Sequence, residues 1–137
     1  MQGTKETEHY TVIYSGVDRH ITGHSGVMIW IHKSLSNRID YYECWNDRVI
    51  ETRLKTQRGH LTILGAYART EGREELNEEF YEKLQNILDK VNRNYYLMLK
   101  GDMNARVGNN IVANIVRRNG GATLNSNGKK TDRVLHI

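Results

Sequence analysis

The chain has 137 residues, 38% of them hydrophobic and 26% charged, with one cysteine and a formal charge of +4. That is enough for one domain with a real core, in the ordinary soluble range of composition, and it excludes disorder as the default. A lone Cys44 rules out an internal disulfide and has no partner at zinc-ligand spacing, so it reads as a small buried apolar residue.

The first residues, "MQGTKETEHY", lack the apolar core of a signal peptide, and no apolar run approaches the roughly 20 residues that span a bilayer. No membrane association is expected, and the expected location is intracellular, the nucleus included. "YTVIYSG" (10 to 16) and "GVMIWIH" (26 to 32) read as strands, the second with both faces apolar. Trp30 and Trp45 fit packing aromatics better than base-stacking platforms. The polar stretch between these strands reads as a loop holding Arg19, His20, His24 and Ser25, for which the residues give no support to a contact with DNA.

"NDRVIETRLK" (46 to 55) alternates as a strand with one polar face. "TQRG" then turns the chain, and "HLTILGAYA" (60 to 68) returns as a more apolar strand, predicting a hairpin. From Arg73 the period changes to 3.6. Leu76, Phe80, Leu84, Ile87, Leu88 and Val91 fall on one stripe of a helix whose other face is acidic, with Lys90 and Arg93 at its end, as the helix dipole favours. "YYLMLKGD" follows as a buried strand, so strand, helix and strand run in succession as in a crossover unit of a mixed α/β sandwich.

That last strand delivers Asp102 and Asn104 just past Gly101. Ligands of open α/β sheets collect beyond the carboxyl ends of strands. A carboxylate there can bind a hard cation or deprotonate a water, and an amide two residues on, on the same side of an extended chain, can hold the water or a phosphate oxygen. Gly, Asp and Asn are also the commonest turn formers, and a simple turn accounts for the same four residues.

After Asn104 no period is sustained, and residues 109 to 137 read as a loop-rich, basic segment with one short helix or turn. The charge is divided unevenly: residues 1 to 105 carry 14 Lys/Arg against 15 Asp/Glu, and residues 106 to 137 carry 6 against one. Such a tail suits a phosphate-bearing partner through Arg106, Arg117, Arg118, Lys129, Lys130 and Arg133, or is simply a solvated face.

"LMLKGDMNARVG" resembles the Gly-Asp-x-Asn motif of the endonuclease/exonuclease/phosphatase superfamily, the exonuclease III and DNase I-like fold. "ILGAYARTEG", the acidic helix, "SGVMIWIHKSLSNRI" and "NSNGKK" resemble, in order, further segments of the endonuclease domains of non-LTR retrotransposons and of insect craniofacial-development-protein-like sequences. The resemblance implies residues 1 to 137 are a single partial domain of a four-layer α/β sandwich with mixed sheets and flanking helices. It implies a DNA phosphodiesterase using Mg²⁺ or Mn²⁺, with Asp102 activating water and touching the metal, Asn104 holding nucleophile and phosphate, and Tyr67 near the leaving group. Thr70 and Arg106 would face the substrate.

Departures accompany the matches. The family's early Asn, its Gln-Glu motif with the main metal ligand, and its Ser-x-x-Asp and Asp-His stretches have no counterpart here. Glu6, Glu8 and His136 do not stand in their contexts, and Arg69 replaces the expected proline. The expectation is a fragment with little or no nuclease activity, or a nucleic-acid-binding or protein-interaction remnant, with sheet edges left uncovered for self-association.

Overall fold

The computed structural model describes residues 1–17, 20, 25–70, 72, 74–106 and 123–135. Two compact units emerge, Met1–Tyr67 with Val91–Gly101, and Ala68–Lys90 with Asp102–Ile137. The architecture is mixed α/β, with two sheets and a few helices.

The first unit is built from two sheets. One has the order β1-β2-β3, from β1 (Gln2–Glu6), β2 (Tyr10–Gly16) and β3 (Gly26–His32), all antiparallel. A short helix α1 (Lys33–Ser36) leads to the second sheet, of order β4-β5-β6-β7, from β4 (Ile39–Asn46), β5 (Val49–Thr56), β6 (Gly59–Tyr67) and β7 (Tyr96–Asp102). The predicted hairpin is β5–β6, closed at the pair Thr56 and Gly59, whose φ of 130° suits glycine. β7 runs in the same direction as β6, since the Ala68 N–H, just past β6, donates to the carbonyl of Asp102 at the end of β7 (2.8 Å).

Alternation sorts the side chains. Ile13, Ile29 and Ile31 of the first sheet point inward with Val27 and meet Ile39, Cys44, Ile50, Leu54 and Ile63 of the second. Each fully buried isoleucine or leucine contributes about 1.5–3 kcal/mol. Gly65 lets the sheets approach: a Cβ there would lie 3.0 Å from Val27 Cγ1 and 3.3 Å from Ile29 Cγ1. Cys44 is half-buried at this core, its Sγ 3.6 Å from the Tyr14 carbonyl. Burial holds its thiol above the usual range.

Three expectations are corrected. The polar face expected of β5 is not solvent-facing at Glu51, which is buried, accepting from Trp45 Nε1 (3.1 Å) and pairing with Arg53 (3.5 Å). Partnering, not exposure, accommodates that carboxylate. The apolar strand β7 is a sheet edge with Tyr96, Leu97 and Met98 exposed, not a buried strand. Trp30 is 57% exposed, packing edge-on against Tyr10 on an open sheet face, while Trp45 is half-buried.

The second unit centres on α2 (Glu74–Lys90) and α3 (Ser126–Leu135). α2 buries Phe80, Leu84, Ile87 and Leu88 as its stripe predicts, but also Asn77 and Tyr81, while Leu76 is exposed. The unit therefore has polar groups in its interior, and they belong to the site below.

Candidate phosphate site at the Gly-Asp-Met-Asn turn

The turn begins where β7 ends. Gly101 has φ 147°, and a Cβ at that position would sit 1.7 Å from the Ala66 carbonyl oxygen, so only glycine fits. Asp102 follows with its side chain exposed, and its Oδ1 accepts the Asn104 N–H (2.8 Å). This is an Asx turn. Asn104 is left-handed, φ 47°, a conformation asparagine tolerates better than most residues. Its Nδ2 donates to the Ala68 carbonyl (2.7 Å).

The extended-chain geometry expected for Asp102 and Asn104 is thereby corrected: the backbone turns between them, and the carboxylate is tied to the amide's own N–H. The turn and the candidate site are the same residues. The hydrogen bonds spend Asp102 Oδ1 and one Asn104 donor on holding shape.

Two asparagines absent from the candidate list support the turn from α3. Asn125 caps that helix, its Oδ1 accepting from Gly128 N (2.8 Å) and from Arg106 N (2.9 Å), while its Nδ2 donates to the Asn104 carbonyl (3.1 Å). Gly128 is pressed so closely that a Cβ would lie 2.1 Å from the Arg106 carbonyl oxygen. Asn127, 0% exposed, donates from Nδ2 to the carbonyls of Arg69 (2.8 Å), Met103 (3.4 Å) and Asn104 (3.4 Å). From α2, Tyr81 donates its hydroxyl to the Met103 carbonyl (3.1 Å) and lies 3.0 Å from Thr131 Oγ1. Burial raises the Tyr81 hydroxyl's pKa, against the opposing hydrogen bond to Thr131, so it stays a donor. The signal for the asparagines was present in "NSNGKK"; nothing in the helical stripe marks Tyr81 as more than core.

Thr70, Asn104, Ala105, Arg106 and Asn125 line an open depression of about 430 Å³. Thr70 and Arg106, the two expected substrate contacts, thus meet Asn104 in one place. The lining offers a hydroxyl, two amides and an exposed guanidinium and no carboxylate, a donor set suited to an anion. Tyr67 belongs to the first unit, where Arg48 lies over its ring (5.1 Å) and donates to its carbonyl (3.1 Å).

The basic residues divide. Lys129 and Arg133 are exposed on α3. Lys130 is buried and paired with Glu74 and Glu78 (3.0 Å each), so it is not available to phosphate. Burial alone would depress the Lys130 pKa; its hydrogen bonds to both glutamates outweigh that and hold it above the usual value. Arg117, Arg118, Arg19, His24 and His136 lie outside the described residues. Ser25 donates to the Asp47 carboxylate.

Among the described residues no three His, Cys, Asp or Glu side chains gather where a cation could sit. Asp102 is the described carboxylate at the turn that would hold a Mg²⁺ or Mn²⁺, shared with phosphate oxygens, and no chemical step is assigned to one. Also among the described residues, no helix is long and apolar enough to cross a membrane.

No family model matches the chain. It is 32% identical over 113 residues to craniofacial development protein 2 of Bos taurus, an alignment covering 82% of this chain and 19% of that protein. It is 31% identical over 113 residues to craniofacial development protein 2 of Tragulus javanicus, covering 82% and 20%. These distant, partial matches support a relation to craniofacial development protein 2. The chain spans about a fifth of the length of these relatives.

Proposed function

We propose that the chain is part of a retrotransposon-derived DNA endonuclease of the DNase I-like type, and that it grips DNA phosphates at the Gly-Asp-Met-Asn turn without efficiently cutting them. The observation that carries this reading is the depression lined by Thr70, Asn104, Arg106 and Asn125, which offers a guanidinium and polar side chains and holds no acid. Arg106 supplies the charge, and the amides and hydroxyl supply directional hydrogen bonds to phosphoryl oxygens. Asp102, exposed at the rim of the turn, is the group able to take a proton from water. Hydrolysis needs more: a group to protonate the leaving oxygen and charge to offset the developing phosphorane, and catalytic groups acting as a unit lose activity steeply when members are lost.

The test is duplex binding by fluorescence anisotropy over a salt series, run beside plasmid nicking with Mg²⁺. Binding should weaken with salt, and Arg106→Ala should reduce the log–log salt slope by about 1. Failure to bind at low salt would reject the phosphate grip. Robust nicking, lost in Asp102→Ala, would overturn the claim of inactivity.

A second reading, a protein-interaction module, is favoured by one observation, the exposed apolar edge strand β7. An unpaired edge with apolar side chains is a template for another strand.

A further inference from the structure

Within the second unit, residues 68 to 70 bring Thr70 to the depression, and asparagines hold their backbone. Three successive carbonyls each accept from a different side-chain amide: Ala68 from Asn104 Nδ2 (2.7 Å), Arg69 from Asn127 Nδ2 (2.8 Å) and Thr70 from Asn77 Nδ2 (3.5 Å). The donors sit on the Gly-Asp-Met-Asn turn, on α3 and on α2. The chain has no proline, so no ring presets the backbone here and these hydrogen bonds fix it instead.

Asn77 is the member of this set that stability does not explain. It lies on the buried stripe of α2, in line with Phe80, Tyr81 and Leu84, and is 0% exposed. Its Oδ1 has no hydrogen-bond partner among the described residues, and its one bond through Nδ2 is long. An unpartnered buried amide oxygen carries a desolvation cost that an apolar side chain at the same position would not.

We propose that Asn77 is a positioning residue for the phosphate grip, acting through the Thr70 carbonyl to set the Thr70 hydroxyl for a phosphoryl oxygen. This rests on reading the depression as a phosphate site. Holding Thr70 by its carbonyl leaves the hydroxyl to donate to a ligand, and a backbone fixed in advance loses less entropy on binding than a loose one. The apolar stripe of α2 gives Asn77 a rigid support, four residues from Tyr81, whose hydroxyl reaches the Met103 carbonyl (3.1 Å).

A double-mutant cycle on duplex binding, followed by anisotropy with circular dichroism confirming the fold of each variant, tests this. Thr70→Val removes an exposed hydroxyl and should weaken binding by about three- to tenfold. Asn77→Leu should weaken it to a similar degree in the wild-type background and cause no further loss in Thr70→Val protein, because its effect passes through the hydroxyl already missing. A merely structural role would lower binding in both backgrounds alike. Asn77→Ala, which adds no bulk, carries the same cycle should leucine prevent folding. Asn77 variants that bind as the wild type does, or losses that add, would overturn the proposal and leave the phosphate grip standing. Absence of wild-type binding at low salt would reject the grip itself, and this inference with it.

Discussion

At the scale of single residues, the site is a structure of carbonyls held by amides. Asn127 serves three carbonyl oxygens with one Nδ2 group while fully buried. Asn127→Ala leaves those carbonyls without that donor and should cost about 1–3 kcal/mol, read as a lower urea midpoint. Asn127→Asp should be worse at neutral pH, since a carboxylate would face the same oxygens. Gly101→Ala has no accommodating movement short of displacing the Ala66 peptide, and a left-handed φ besides. Its expected cost is on the order of 3 kcal/mol or more, enough to show as loss of soluble protein on expression.

At the scale of elements, α2 and α3 are joined by Lys130 to Glu74 and Glu78, with Ser126 Oγ also donating to Glu74 (2.9 Å). The hydrogen bonds from Lys130 and then Ser126 lower the Glu74 pKa from an ordinary value of 4.5. A depressed carboxylate contributes stability that is complete above its unfolded pKa and is lost as pH falls through the folded one. Lys130 has the opposite sign: its contribution is complete below the ordinary 10.5 and fades as pH rises through the elevated folded value. Amide exchange of α3, corrected for intrinsic rates, should therefore be slowest between about pH 5 and 10 and accelerate on either side. In Glu74→Gln the acid-side acceleration should shrink. The edge strand β7 supports a separate expectation. Exposed Leu97, on an edge that no described strand pairs, should drive concentration-dependent association in sedimentation, and Leu97→Lys should reduce it.

At the scale of the whole molecule, the chain is two compact units with different interiors. The first is an apolar sandwich around Ile13, Ile31, Ile50 and Leu54. The second mixes the apolar stripe of α2 with buried Asn77, Asn127, Lys130 and Thr131. Urea unfolding followed by tryptophan fluorescence, which reports Trp30 and Trp45 in the first unit, should leave the Asn127→Ala midpoint nearly unchanged, while helical circular dichroism should move. Coincident shifts in both signals would show that the units unfold together.

Local pattern alone determined the strands at 10–16 and 26–32, the β5–β6 hairpin and the α2 helix, because each repeats its apolar residues at the period of its own backbone. β1 and β4 escaped that reading. "QGTKE" holds its place by ladder hydrogen bonds with no apolar alternation, and β4 has register shifts at Ile39/Tyr41 and Cys44/Asn46 that break the period of two. The Gly-Asp-Met-Asn turn was visible as residue types, and so was its candidacy for phosphate chemistry. Tertiary structure alone decided which side chains complete it: that Asn125 and Asn127, about twenty residues on, cap and carry the turn, that Lys130 is spent on glutamates, and that Trp30 stands open. Hydrogen bonds and exposure across such separations depend on where the chain returns in space, which no local periodicity encodes.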